Sequence, residues 1–347
     1  MELNGTMKSK LCMKNIKIIA YCLLPAAYCC FSSCSNNENT RQPETLNPKP
    51  ETSLPPAPSF NEDSAYAFVK AQVDFGPRVP GTNAHAKCAE YLFSKLKSYG
   101  WEVQMQNGSI TTYDGKKFNL KNIIAAYKPE NNNRILLMSH WDSRPFADQD
   151  TVDKDKPFDS ADDGPSGVGV ILEIARQLSI AKPDVGIDIL FDDLEDYGKE
   201  NSRGDDGDTW ALGTQYWTKN PPKPGYTAQY GILLDMVGAK DAIFPREGLS
   251  TQYASYVVKK IWNKAAHLGY SRYFVFEDIH GITDDHEYII NGANIPCIDI
   301  VNWDMQKGSF GSYHHTHNDN MKIIDKNTLK AVGQTVLEVV WEEQHPT

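Results

Sequence analysis

Beyond residue 34 this 347-residue chain has only two of its seven cysteines, Cys88 and Cys297. A folded part so poor in cysteine is not a disulfide scaffold. The chain also lacks any run of Lys or Arg, and its 35 basic residues are outnumbered by 45 acidic ones, for a net charge of −10. Such a surface does not attract phosphate backbones, so nucleic acid is not an expected partner. No apolar stretch reaches the ~20 residues of a spanning helix, and there is no internal repeat. A hydrophobic content of 40% with 23% charged residues lies near globular averages, which excludes collagen, coiled coil and global disorder. The length allows two domains, or one large α/β unit with a long terminal extension.

The other five cysteines fall at 12, 22, 29, 30 and 34. From Met13, lysines at 14 and 17 precede an apolar stretch from Ile18 to Phe31, then two serines and Cys34. This is the build of a bacterial export signal. Phe31-Ser32-Ser33-Cys34 resembles a lipobox, with Phe31 where Leu is commoner, so residues 1–34 are expected to be a lipoprotein-type signal with Cys34 as the lipid anchor. An uncleaved membrane anchor is the alternative, and the apolar stretch is short for one. The expected location is the cell envelope, facing the periplasm. Four lysines and one glutamate lie in residues 1–34, which leaves 31 basic and 44 acidic residues and a net charge of −13. Residues 35–60 carry six prolines and almost no apolar periodicity, the composition of a disordered tether. The folded unit is then 61–347.

Within it, strand-like apolar runs alternate with amphipathic helical patterns, which predicts an α/β domain: a mostly parallel mixed sheet flanked by helices. The strands read as Leu120–Tyr127, Arg134–His140, Ile187–Asp193, Tyr230–Val237 and Pro296–Asn302. Helical stripes are Ala89/Leu92/Phe93/Leu96 ending at Gly100, Val168/Ile171/Leu172/Ala175, and Leu329/Val332/Val336/Val340. Ligands of such sheets bind beyond the carboxyl ends of the strands. Polar clusters fall there: His140-Trp141-Asp142, Asp192-Asp193-Leu-Glu195-Asp196, Asp235 inside an apolar run, Asp163 before a helix, and His314-His315-Thr-His317-Asn-Asp319 after the last strand.

Carboxylates crowded together repel one another and raise each other's pKa unless a cation sits among them. A divalent metal is the economical explanation. With His and Asp/Glu available and no usable cysteine, zinc is the expected ion, three protein ligands leaving a position open for catalysis. Any one of these residues alone would more often be a cap or a satisfied polar group; the joint placement carries the inference.

The order His140-x-Asp142, Asp163-Gly-Pro-Ser-Gly, Glu195-Asp196, Asp235 and His315 resembles the co-catalytic zinc exopeptidases of the bacterial aminopeptidase type. SHWDSRPF, FDDLEDYG, LLDMVGA, GITDDHEYII and HHTHNDN are similar to the animal-type zinc-dependent glutaminyl cyclases, which also occur in Bacteroides-like bacteria. The similarity spans about residues 63 to 345. It implies a zinc-exopeptidase-like fold and cyclisation of N-terminal Gln of peptides to pyroglutamate, with one zinc ion on Asp163, Asp196 and His315. It also implies Glu195 as proton shuttle and Asp235 and Asp284 as a proton-sharing pair. Asp192 and Asp193 rival the Glu195-Asp196 pairing, and Asp285 rivals Asp284. Trp141, Trp210, Trp303 and Phe310 are candidate pocket walls, and His314 stands where the family has a tryptophan. Cys88 and Cys297 could pair, but their placements favour two buried thiols. Two other functions stay open: a di-zinc aminopeptidase that recruits His140 and Asp235 to a second ion, and an inactive envelope binding protein.

Overall fold

The computed structural model describes residues 55–199 and 208–344. The signal, Cys34 and the tether up to residue 54 lie outside the described residues. The last six residues expected in the tether are ordered against the C-terminal helix: Phe60 is 1% exposed, and the Pro55 carbonyl accepts from Trp341 Nε1 at 2.8 Å. An aromatic side chain with a core to enter outweighs the local proline-rich composition.

Helix α1 (Glu62–Val73) starts at Asn61, whose side chain accepts from Ser64 N, with Glu62 and Asp63 in the first turn where the helix dipole favours anions. Helix α2 (Asn83–Ser98) is capped by Thr82 and followed by Gly100 at φ +84°. A hairpin of β1 (Glu102–Thr111) and β2 (Lys117–Tyr127) leads to β3 (Arg134–His140), then α3 (Pro165–Ala181), β4 (Gly186–Asp192), α4 (Leu212–Lys219) and β5 (Tyr230–Asp235). Next come β6 (Phe244–Arg246), α5 (Gly248–His267), β7 (Phe274–Asp278), the short α6 (Asp285–Tyr288) running into a π turn, β8 (Cys297–Val301) and α7 (Lys326–Glu342).

The main sheet has the order β1-β2-β4-β3-β5-β8. Strands β4, β3, β5 and β8 are parallel, while β1 and β2 are antiparallel, so the sheet is mixed as expected. Every residue of β3, β4, β5 and β8 is buried, the pattern of a sheet covered on both faces. Ile135, Leu137, Ile187, Ile189, Ile232 and Leu234 face a large helical layer built from α1, α3, α5 and α7. Leu136, Met138, Leu190 and Leu233 face Trp217 of α4 and Ile289 of the π turn. Both free cysteines are buried in separate clusters, and burial pushes the Cys88 thiol up to about 12. They are thiols, not a disulfide.

The five expected strands are present to within three residues at their ends. Strand β1 was not foreseen because Gln104, Gln106, Asn107 and Ser109 carry little strand propensity; its pairing with β2 from Glu102↔Ala126 to Thr111↔Lys117 holds it. What positions the site is parallelism. His140 is level with Asp192, and Asp235 with Val301, so the strand ends share one edge.

Candidate metal centre and active site

Three loops and two strand ends build the site. His140 ends β3, and Asp235 ends β5. Asp163 precedes α3, whose first turn is set by Gly164 at φ +85° and by Pro165, which suits a helix N-terminus because its missing N–H costs nothing there. Glu195 and Asp196 follow β4 across Leu194, and His315 lies in the loop after β8. Ser160, Leu194, Met236 and His315 all have positive φ, between 47° and 59°. For non-glycine residues this conformation is costly, and here it is concentrated in the segments that carry the polar cluster.

His140 Nε2 is 3.0 Å from Asp163 Oδ1 and 3.3 Å from Asp235 Oδ1. On the other side, His315 Nε2 is 3.5 Å from Asp163 Oδ2 and 3.1 Å from Asp196 Oδ1. Asp163 therefore faces two donor triads, one oxygen to each. Around a tetrahedral zinc with bonds near 2.1 Å, neighbouring donors stand about 3.4 Å apart. The four histidine–carboxylate separations, 3.0 to 3.5 Å, have that spacing, and among the described residues the sets whose donor atoms all lie within 4.8 Å of one another are His140–Asp163–Asp235 and Asp163–His314–His315. His140 Nε2, Asp163 Oδ2 and Asp196 Oδ2 are buried and lack aligned hydrogen-bond partners, which is costly in a protein interior unless a cation takes up the lone pairs. The residues thus fit a divalent metal on geometry and on donor chemistry. His314 also has a ring nitrogen within reach of the Asp163–His315 group.

The acidic run after β4 divides by role. Asp193 is consumed structurally: its carboxylate sits 2.8 Å from His85 Nε2 and accepts from Lys121 N at 2.8 Å. Asp192 is fully buried, level with His140 on the neighbouring strand, and interacts with Asp285. Asp196 points at His315. Burial opposes its ionisation, but His315 and Arg144 hold its carboxyl below the ordinary aspartate range. Glu195 alone of the run keeps partial exposure. Desolvation by its surroundings pushes its carboxyl well above the usual glutamate range; His140 opposes that, and Asp196, Asp285 and Asp284 add to it. Asp284 caps α6, accepting from Asp285 N at 2.6 Å, and burial together with Asp235 raises its pKa. Asp285 is fully buried and turned toward Asp192 and Thr214, away from the opening.

Of the aromatic candidates, Trp303, Phe310 and His314 form a row that ends on the His315 ring. Centroids are 5.1 Å apart for Trp303–Phe310, 4.5 Å for Phe310–His314 and 3.6 Å for His314–His315. Trp210 lies parallel to His315 at 6.3 Å, with the Arg144 guanidinium 4.8 Å over its ring. Trp141 is different. It is fully buried, stacked on His85 at 4.4 Å and bonded through Nε1 to the Lys121 carbonyl, so it belongs to the core and not to the pocket wall. A side chain following a strand end can turn to either side of the sheet, and residue type does not say which.

Sequence reasoning missed the supports. The Asp142 carboxylate accepts from the backbone N–H of Glu195 at 3.2 Å and of Asp196 at 3.4 Å. Arg144 donates to the Asp196 and Gly198 carbonyls and pairs with Asp148, which stands 3.7 Å from His315 Nδ1. Asp162 accepts from Gly238 N and from Tyr313 Oη at 2.5 Å. The adjacency of Asp142 to His140 and of Asp162 to Asp163 was a usable signal; Arg144 had none.

A mixed α/β sheet with two Asp/His triads at the carboxyl edge defines a metal-dependent exopeptidase-type enzyme. The chain belongs to peptidase family M28, whose model matches residues 122–340. It is 53% identical to a Zn-dependent exopeptidase from Parabacteroides distasonis, covering 82% of this chain and 99% of that one with a TM-score of 0.80. It is 51% identical to the glutaminyl cyclase of Tannerella forsythia, over 82% and 99% of the two chains, with a TM-score of 0.79. Among curated relatives, the glutaminyl-peptide cyclotransferase of Gloydius blomhoffii is 26% identical over 293 residues, 77% of this chain and 76% of its own.

Proposed function

We propose that this enzyme is a glutaminyl-peptide cyclotransferase: it closes N-terminal Gln of peptides and proteins to pyroglutamate and releases ammonia. One observation carries this reading. The partly exposed Glu195, its pKa raised, stands next to the Asp163–Asp196–His315 triad, and the buried Asp284 carboxyl is raised by desolvation and by the nearby Asp235. The likeness to glutaminyl cyclases at about half identity over nearly their whole length supports it.

Asp163, Asp196 and His315 would hold one zinc ion, which when bound supplies Lewis-acid polarisation of the side-chain amide carbonyl. Glu195 accepts a proton from the α-amine as its nitrogen bonds to the amide carbon, then passes that proton to the departing nitrogen, which leaves as ammonia. One C–N bond forms and one breaks, with no net proton change. A carboxyl with a raised pKa is matched to both halves of this transfer. Asp235 and Asp284 orient the amide nitrogen. Trp303, Phe310 and His314 form an apolar wall that excludes water. The nucleophile is tethered to its target, so holding it in reacting geometry supplies much of the acceleration.

A Gln-initiated peptide incubated with the zinc-loaded enzyme should lose one ammonia and keep its length, as read by mass and ammonia release, and Glu195→Gln should slow this by about 10²- to 10⁴-fold. Peptide cleavage instead would refute the proposal. The second reading, a di-zinc aminopeptidase, is favoured by the His140–Asp163–Asp235 triad. Two tightly bound zinc ions with hydrolysis of leucyl peptides would establish it. The signal-like residues 13–34 support an exported, lipid-anchored protein, testable by radiolabelled lipid incorporation at Cys34.

A further inference from the structure

Asp319 is fully buried, and its carboxylate makes three backbone contacts across the chain. Oδ1 accepts from Ala161 N at 3.0 Å and Asp162 N at 2.8 Å, and Oδ2 accepts from Asp163 N at 3.2 Å. These donors lie 156 to 158 residues earlier in the sequence. They converge because the backbone turns at Ser160, φ +47°, and again at Gly164, φ +85°, which points three successive N–H groups to one side. Asp319 itself lies four residues after His315 in the same loop. It therefore ties the loop of one candidate ligand, His315, directly to the backbone of another, Asp163.

We propose that Asp319 is a positioning residue for the metal: it sets the separation of Asp163 from His315 and so the affinity of the triad for zinc. The Asp163 carboxylate hangs from a Cα held on both sides: its own N–H donates to Asp319, and its own carbonyl accepts from Ser160 Oγ at 3.0 Å. Asp319 ties the two loops through backbone groups, beside the side-chain contact of Tyr313 Oη with Asp162. An amide at 319 has one acceptor oxygen for three donors, so at least one N–H of the bracket meets an NH2 group. Supporting contacts of this kind commonly change metal affinity by about 10- to 100-fold.

The inference rests on the metal reading of the site and is independent of cyclisation, because it is tested with zinc alone. The full chain of wild type, His315→Ala and Asp319→Asn is titrated with zinc against a chromogenic chelator, and the melting temperature of each metal-free protein is recorded. Zinc bound by wild type, lost in His315→Ala and weakened at least about 10-fold in Asp319→Asn is the expected result. Equal zinc affinity in wild type and Asp319→Asn, with only a lower melting temperature, would show a purely structural role and overturn the proposal. No zinc binding by wild type would overturn the site reading along with it. If Asp319→Asn does not fold, Asp319→Glu keeps the charge and moves the bracket by one methylene; unchanged zinc affinity in that variant also overturns the proposal.

Discussion

Replacing Glu247 with Gln should cost about 3 kcal/mol at pH 7, and the cost should vanish in acid. Glu247 has no exposure and caps α5. Oε1 accepts from Leu249 N and Ile282 N, each at 2.8 Å; Oε2 accepts from Ser250 N and Ser250 Oγ, each at 2.7 Å, and lies 3.1 Å from His286 Nε2. A glutamine turned either way sets its NH2 group against two of these donors. Ser250 Oγ is further constrained because it already accepts from Asp299 N. Stranding two buried donors costs about 1–3 kcal/mol each. Linkage gives a similar figure. Burial alone would raise the Glu247 pKa, but His286 and Ser250 outweigh it and lower it from 4.5 to about 2. A shift of that size corresponds to about 3 kcal/mol. The folded-state pKa is the depressed one, so this stabilisation is complete above about pH 4.5 and is lost as pH falls toward about 2. Urea unfolding of wild type and Glu247→Gln at several pH values between 7 and 3 measures the difference directly. A gap that stays constant across that range would refute the reasoning. The same carboxylate anchors Ile282, two residues before Asp284, so turnover should fall in the folded variant as well.

Glu195→Gln should lower kcat by about 10²- to 10⁴-fold, with zinc binding retained in the chelator titration. Trp141→Ala should destabilise by about 3–5 kcal/mol in denaturant unfolding while KM changes little in the surviving fold, because the ring is core and not wall. Gly167→Ala should fail to accumulate as soluble protein or melt far below wild type, since its Cβ would strike the Leu234 carbonyl where α3 crosses β5. Removing zinc with a strong chelator should abolish cyclisation, and adding zinc back should restore it; activity that survives complete removal would exclude the proposed role of the ion.

How far the residues could be read differs between fold and site. The central strands show in the sequence because burial on both faces makes them largely apolar runs, and Asp235, after the four residues Gly231–Leu234, stood out for that reason. Strand β1 and Asp162 did not stand out, and Asp142 and Asp319, though inside the polar clusters, gave no sign of their supporting roles. Their roles lie in pairings with distant backbone, and a surface aspartate and a buried one have the same letter.

The sequence by itself determined the alternation of strand and helix, the shortage of cysteine that leaves carboxylates and imidazoles as donors, and the placement of His140, Asp163, Asp196, Asp235 and His315 at strand ends or in loops. Local pattern suffices for these because propensity, apolar periodicity and donor chemistry are properties of short segments. Only the tertiary structure decided which acids meet histidines in the candidate metal centre. It turned Glu195 to the opening, bound Asp193 to His85, sent Trp141 into the core and gave Asp163 one oxygen for each triad. Those choices depend on contacts between segments from about 20 to about 150 residues apart and on backbone bends at Ser160, Leu194, Met236 and His315 that only the packed structure can hold.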